Sequence, residues 1–476
     1  MLVNIYSRMC RPVITLVSVG KLWRVFVMTS LILHFGLFLP QAQADQSLPQ
    51  LGENSAVNIE REKKIGQGLY QELLDRNLIE TNPLLNNYIN EIGARLLSGL
   101  DHRVREYQFF LVKDASVNAF AAPGGYIGIH AGLVYQAQTL HQLASVMAHE
   151  IAHVRLMHGM RMAEKAGDVG SASLIYLLVG ILLASSNPDL GAAVFYGGAA
   201  GGQQAMVNFT RDNEYEADRL GIGLLQNAGF DAQGMVEFFR ILGRKSGQSE
   251  TQSVEYLRTH PVSENRIAEA SQRVKPTKVN ALVNDDFSMF KDYLASENSV
   301  NLEQGGSDFR LALARAKNGD HVKADEILMR LYQGDNENIW YSYAFAENLE
   351  YLGRLKEAEQ VYRRFLDIFP GNFVFSLKLV RLLTTRGEYE SALEIARRLK
   401  RDYPKDINIY SELIEIYNRL EQPVLRMVAE AEYHGLRGNL TRASQIYESI
   451  LKRSDLDLTT ESRVREKLKQ INKKDS

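Results

Sequence analysis

The run His149-Glu150-Ile151-Ala152-His153 sets two imidazoles four residues apart with a carboxylate beside the first. On a helix, His149 and His153 leave the same face one turn apart and can share one Zn²⁺. Glu150 is rotated to the side, where it can act on an attacking water instead of ligating. Further along, Glu214 and Asp218 are again four apart and share a helix face. That spacing suits a third metal ligand and a carboxylate that orients a ligating histidine, whereas Glu216 points elsewhere. In Arg258-Thr259-His260-Pro261 the proline puts His260 on a turn, and Arg266 opens the helix beyond it. His260 has two possible parts. Bound to the metal it would close the remaining position; swung away it could donate a hydrogen bond to a developing oxyanion. The chemistry these residues suit is metal-assisted peptide hydrolysis.

Several elements must hold them. Leu140–Met147 is apolar at helical spacing with no breaker, so a helix carries the H-E-x-x-H run. Ahead of it, 59–78 and 83–97 have helical periodicity, with Thr81 or Asn82 as a cap for the second. Residues 107–112, 117–121 and 126–129 read as strands, and Pro123-Gly124-Gly125 marks a tight turn between the last two. An exposed edge strand there could hold an extended peptide by main-chain pairing. Residues 171–206 hold an apolar run, 174–183, and then a Gly/Ala-rich one. Each is too short to span a bilayer, which leaves a buried helical hairpin or a hydrophobic flap touching membrane or unfolded substrate.

Residues 277–305 read as a polar linker. Beyond them Gly319, Gly353 and Gly387 recur every 34 residues, each followed five residues later by Ala324, Ala358 and Ala392. That period with helix–turn–helix patterning is a tetratricopeptide repeat, whose stacked units bind protein segments on a concave face. Gly438 and Ala443 repeat the pair half a unit out of phase, so 421–432 is expected to be irregular or to carry an extra helix.

Composition narrows the class. The net charge of −2 over 476 residues offers no footprint for nucleic acid. The first 44 residues hold four basic residues and no acidic ones. The apolar run 25–40 then leads to Ala42-Gln43-Ala44, the order of an export signal, the alternative being an uncleaved anchor. The only cysteine, Cys10, lies in that segment, so after cleavage any metal site must use histidine and carboxylate.

The set H-E-x-x-H, E-x-x-x-D and T-H-P-x-x-x-x-R-I, together with the tetratricopeptide repeats, resembles the BepA-like periplasmic β-barrel assembly-enhancing proteases. These fall within the wider metallopeptidase family that includes HtpX and the CAAX prenyl protease. The resemblance implies one Zn²⁺ per chain held by His149, His153 and Glu214, with Glu150 as catalytic base and Asp218 as the carboxylate that orients a ligating histidine. It also implies Arg266 near the site and His260 as an inhibitory fourth ligand. Further implications are a Gram-negative periplasm, misfolded or stalled outer-membrane proteins as substrates, and docking to the outer-membrane β-barrel assembly machinery through the repeats. Peripheral membrane contact by 171–206 stays open. The expected fold is mainly α: a signal peptide (1–44), an α+β zincin-type metalloprotease domain with a small β hairpin or sheet (45–276), a linker (277–305) and an α-solenoid of repeats (306–476). From a different class, a non-proteolytic chaperone or scaffold in which the repeats carry the function is the alternative.

Overall fold

Asn82 starts the second helix among the described residues. Its side chain accepts from the N–H of Leu84 (2.9 Å), and Pro83 occupies the first helical turn, where its missing N–H costs nothing. The structure is a computed structural model that describes residues 55–100, 106–159, 161, 203–246, 256–276, 286–298 and 306–475. The expected signal segment 1–44 and nearly all of the apolar stretch 171–206 lie outside the described residues.

Two helices, α1 (Ser55–Asp75) and α2 (Pro83–Ser98), precede a three-stranded sheet of β1 (Gln108–Val112), β2 (Ala119–Ala122) and β3 (Tyr126–His130). The expected hairpin is there, with β2 antiparallel to β3. The order is β1-β3-β2, and β1 runs parallel to β3, an arrangement the strand spacing did not reveal. A 3₁₀ turn at Pro123–Gly125 joins the hairpin. Gly124 and Gly125 have φ of 79° and 89°, and a Cβ on Gly125 would stand 2.0 Å from the Glu106 carbonyl oxygen. Only glycine fits there. The outer edge of β1 is bridged by Ile79 at Val112, so β2 forms the opposite edge of the described sheet.

Next come α3 (Ala131–Gln136), α4 (Leu140–Arg155), α5 (Gln203–Asn227), α6 (Gln233–Ser246), the short α7 (Tyr256–Thr259) and α8 (Glu264–Arg273). Thr139 caps α4, and Leu143, Ala144, Met147, Ala148 and Ile151 are buried. Helix α5 crosses close to α4: a Cβ on Gly221 would lie 3.4 Å from the His149 backbone nitrogen. A small residue there lets the two motif-bearing helices approach.

The stretch expected as a polar linker departs from that reading. Within it Phe287–Glu297 forms helix α9, burying Phe287, Phe290, Tyr293 and Leu294. Phe290 stacks on Tyr88 (4.4 Å between centroids) and lies 6.1 Å from Trp340, so α9 joins the N-terminal half to the repeats. Lys291 donates to the carbonyls of Ala137 (2.7 Å) and Tyr135 (3.2 Å), covering orphan acceptors at the end of α3.

The repeats comprise α10 (Asp308–Lys317), α11 (His321–Gly334), α12 (Ile339–Tyr351), α13 (Leu355–Ile368), α14 (Phe373–Thr385), α15 (Tyr389–Asp402), α16 (Ile407–Arg419), α17 (Pro423–Leu436), α18 (Leu440–Leu451) and α19 (Leu458–Asp475). Gly319, Gly353 and Gly387 take φ of 80°, 72° and 79° in the tight turns, and Ala324, Ala358 and Ala392 are fully buried behind them. The irregularity expected at 421–432 has a simple form. Glu421 keeps the repeat in phase, taking the glycine's place at φ 56°, and α17 comes on schedule. Gly438 (φ 77°) then makes a tight turn between α17 and α18, so the helices keep their step with no extra helix, and the out-of-phase glycine belongs to the turn between two units. The far end of the repeats returns to the N-terminal half. Arg437 donates to Gln71 (2.8 Å) and pairs with Asp75, and Gln67 donates to the Leu436 carbonyl (3.1 Å). Among the described residues, no helix is long and apolar enough to cross a membrane.

Candidate metal centre

Helix α4 presents His149, Glu150 and His153, helix α5 presents Glu214 and Asp218, and the turn after α7 brings in His260. Histidine ring nitrogens and carboxylate oxygens of His149, His153, Glu214 and His260 all lie within 4.8 Å of one another. Nε2 of His149 is 2.9 Å from Nε2 of His153, 3.3 Å from Nδ1 of His260 and 3.3 Å from Oε2 of Glu214. Oε1 of Glu214 is 3.3 Å from Nε2 of His153 and 3.0 Å from Nδ1 of His260. A tetrahedral Zn²⁺ with bonds of about 2.0–2.1 Å separates its ligand atoms by roughly 3.3 Å. Four donors, three imidazole nitrogens and a carboxylate, are thus spaced to hold such an ion.

Charge agrees with spacing. Among the described residues, Glu150, Glu214 and Asp218 are buried beside a single buried guanidinium, Arg266. With neutral imidazoles that leaves two uncompensated negative charges, which a divalent cation neutralises. The Arg266 guanidinium donates from Nε and Nη2 to the two oxygens of Asp218, both at 2.8 Å, and from Nη1 to the Pro261 carbonyl (2.6 Å). Its Nη1 is also 2.9 Å from Glu214, and the guanidinium lies over the Phe239 ring. Asp218 in turn stands 3.0 Å from Nδ1 of His149.

The titration of these groups reflects the crowding. Burial opposes charge on His149, but Asp218 and then Glu214 outweigh it and raise the imidazole to about 10. His153 is pushed down to about 3 by burial and by the neighbouring charge of His149. Burial would lift Glu214, yet His260, His149 and His153 hold it well below the ordinary carboxylate range. Asp218 is likewise lowered against burial, by His149 and Arg266.

Glu150 is 1% exposed, and neither of its carboxylate oxygens has a hydrogen-bond partner among the described residues. Its Oε1 is 3.6 Å from Nε2 of His260. All seven residues singled out in the sequence therefore meet in one cluster. Three more belong to it that the motifs did not flag. Tyr256 stacks on the His260 ring (4.6 Å, 28°) and donates its N–H to the Val117 carbonyl just before β2. His158 adjoins His153 from behind, and Glu216 in turn meets His158. The spacing H-x-x-x-H-x-x-x-x-H was the available signal for His158, but it extends past the helix and so carries no periodicity.

Known proteins share this arrangement of domains. The model of peptidase family M48 matches residues 83–274, and a tetratricopeptide repeat model matches 349–414. A putative beta-barrel assembly-enhancing protease of Vibrio cholerae is 30% identical over 445 residues, covering 89% of this chain and 92% of the relative. The beta-barrel assembly-enhancing protease of Escherichia coli is 29% identical over 90% of this chain and 92% of its own. The mitochondrial metalloendopeptidase OMA1 of Schizosaccharomyces pombe is 26% identical over 48% of this chain and 66% of its own. With similarity running through both the metal-site half and the repeats, the chain belongs to the family of beta-barrel assembly-enhancing proteases and is a zinc metalloendopeptidase.

Proposed function

We propose that this endopeptidase works in the periplasm on outer-membrane β-barrel proteins whose assembly has gone wrong, and docks through its repeats to the machinery that inserts them. The names of the relatives, which tie them to beta-barrel assembly, support the substrate class, and the repeats support protein docking. The observation that carries the reading of the site is the four-donor cluster with an unpartnered Glu150 carboxylate beside it.

In this reading His149, His153 and Glu214 hold the zinc. When bound, the metal supplies a Lewis acid that polarises the scissile carbonyl and acidifies water. Glu150 takes the proton of the attacking water and passes it to the leaving amine. Asp218 orients His149, and Arg266 holds Asp218 and Glu214 at once. Edge strand β2, against which α4 packs, receives an extended substrate by main-chain pairing. His260 fills the fourth donor place and restrains the enzyme. Peripheral membrane contact by 171–206 remains part of the proposal.

Two predictions arise here. Metal-free His149 holds its proton up to about pH 10, and zinc must expel it, so affinity rises with pH. The slope should approach about tenfold per pH unit between 7 and 9, with proton release visible by calorimetry in buffers of different ionisation enthalpy. A zinc affinity flat across that interval would refute a proton-bearing His149 ligand.

The second concerns restraint, and it shares an experiment with the function as a whole: zinc content and casein degradation for wild type and His260→Ala. One zinc in each, with degradation several-fold faster in the variant (about 1 kcal/mol for fivefold), is expected. A slower variant would mean that His260 assists turnover. Absence of zinc from the wild type would remove the metal reading altogether.

A further inference from the structure

Helix α4 ends at Arg155, and the chain does not run on. Leu156 closes the helix with its N–H on the Ala152 carbonyl (2.9 Å), and Met157 donates to Val154 (3.1 Å) with φ of 58°. The left-handed region disfavours any residue with a side chain, so this conformation persists only where its surroundings demand it. What it accomplishes is local. It turns the chain back, so that the His158 ring lies against His153 with centroids 4.8 Å apart and planes at 74°.

Nδ1 of His158 is then 2.9 Å from Nδ1 of His153, and Nε2 of His158 is 3.1 Å from Oε2 of Glu216. Glu216 is steadied by Arg161, whose Nη2 is 3.4 Å from the same oxygen and 2.6 Å from the Leu156 carbonyl. The chemistry of the partners fixes the proton positions. An ionised carboxylate only accepts, so Nε2 of His158 carries the hydrogen and its Nδ1 is the acceptor. Nδ1 of His153 must therefore be the donor, which leaves the lone pair of its Nε2 facing the cluster. Both nitrogens of His158 are engaged on the far side of His153, so it is not itself a ligand.

We propose that His158 is a positioning residue for the metal centre, a relay that ties Nδ1 of His153 to the Glu216 carboxylate and fixes the tautomer and ring orientation His153 needs to bind zinc. This rests on the reading of His153 as a ligand. The relay also explains a division of labour on α5. Asp218, four residues from Glu214, shares its face and reaches His149 directly. Glu216, two residues from Glu214, is rotated about 200° away and cannot reach His153. His158 spans the gap. One helix thereby supplies a ligand and the carboxylate anchors for both histidines of α4.

The test is the zinc dissociation constant of the full chain, measured by competition with a chelator at fixed pH, for wild type, His158→Phe, His158→Gln, Glu216→Ala and His149→Ala. Thermal midpoints of the metal-free proteins report folding. Phenylalanine fills the ring's volume without its nitrogens, and zinc binding should weaken about 10–100-fold. Glutamine can accept from Nδ1–H of His153 through its amide oxygen and donate to Glu216 through its NH₂, so binding should return to within about threefold of wild type. Glu216→Ala, which removes only the half-exposed anchor, should fall between them. Wild-type affinity in His158→Phe, or a glutamine variant as weak as the phenylalanine one at equal metal-free stability, would overturn the relay. If His149→Ala loses zinc while His158→Phe keeps it, the relay alone is wrong. If the wild type binds none, the ligand reading beneath it is wrong.

Discussion

Glu150→Gln should bind zinc as the wild type does and melt at the same temperature or slightly above, while hydrolysis of an unfolded protein falls about 10²–10⁴-fold. The first half of that expectation comes from the packing. Glu150 is 1% exposed on α4, and its oxygens have no hydrogen-bond partner among the described residues. A neutral amide of nearly the same shape relieves the desolvation of a buried carboxylate and disturbs none of the four donors. The second half comes from the chemistry. An amide cannot take a proton from water near neutral pH, so proton transfer to the leaving amine loses its carrier. Zinc content, melting temperature and kcat/KM on casein, measured on the same preparations, separate these effects. Activity within tenfold of wild type would move the base elsewhere.

Arg266→Ala should cost about 3–5 kcal/mol of stability, because it takes from the buried carboxylates of Asp218 and Glu214 the guanidinium that pairs with both. The guanidinium meets both oxygens of Asp218, one of Glu214 and the Pro261 carbonyl, at 2.6–2.9 Å. Lysine has one ammonium and cannot reach all four, so Arg266→Lys should recover only part of the loss. The dependence on pH has a definite sign. Asp218 and Glu214 have depressed folded-state values, and Arg266 contributes directly to that of Asp218. Stability from a depressed carboxylate is fully present above its ordinary range and is lost as pH falls through the folded value. The gap between wild type and Arg266→Ala should therefore be widest at neutral pH and narrow below about pH 4. Urea unfolding of metal-free protein at pH 7 and pH 3 measures it. A deficit under about 1 kcal/mol at pH 7 would mean that the site relaxes or takes in water when the guanidinium is gone.

Much of this protein is local in origin, and those parts were legible in the sequence. The H-E-x-x-H pair and the Glu214–Asp218 pair follow from helical period, whereas their union with His260 and Arg266 in one site was what the family resemblance implied. The Asn82 cap, the Pro123-Gly124-Gly125 turn and the 34-residue glycine step depend on one residue type at one backbone conformation. Other features rest on partners distant in the chain. Phe287–Glu297 reads as linker because its neighbours are polar, yet it is a core helix because Tyr88 and Trp340 supply the apolar surface that its aromatic residues cover. Glu421 conceals the fourth turn: an exposed glutamate, with backbone hydrogen bonds to Asn418 and from Gln422 to Tyr417 closing the turn, stands where three earlier turns use glycine. Pairing of β1 with β3, and the return of Arg437 to Gln71 and Asp75, are contacts across the chain with no periodic trace. His158 belongs with these. It stands beyond the end of α4, where helical spacing stops predicting direction, and only the left-handed turn at Met157 carries it back to His153.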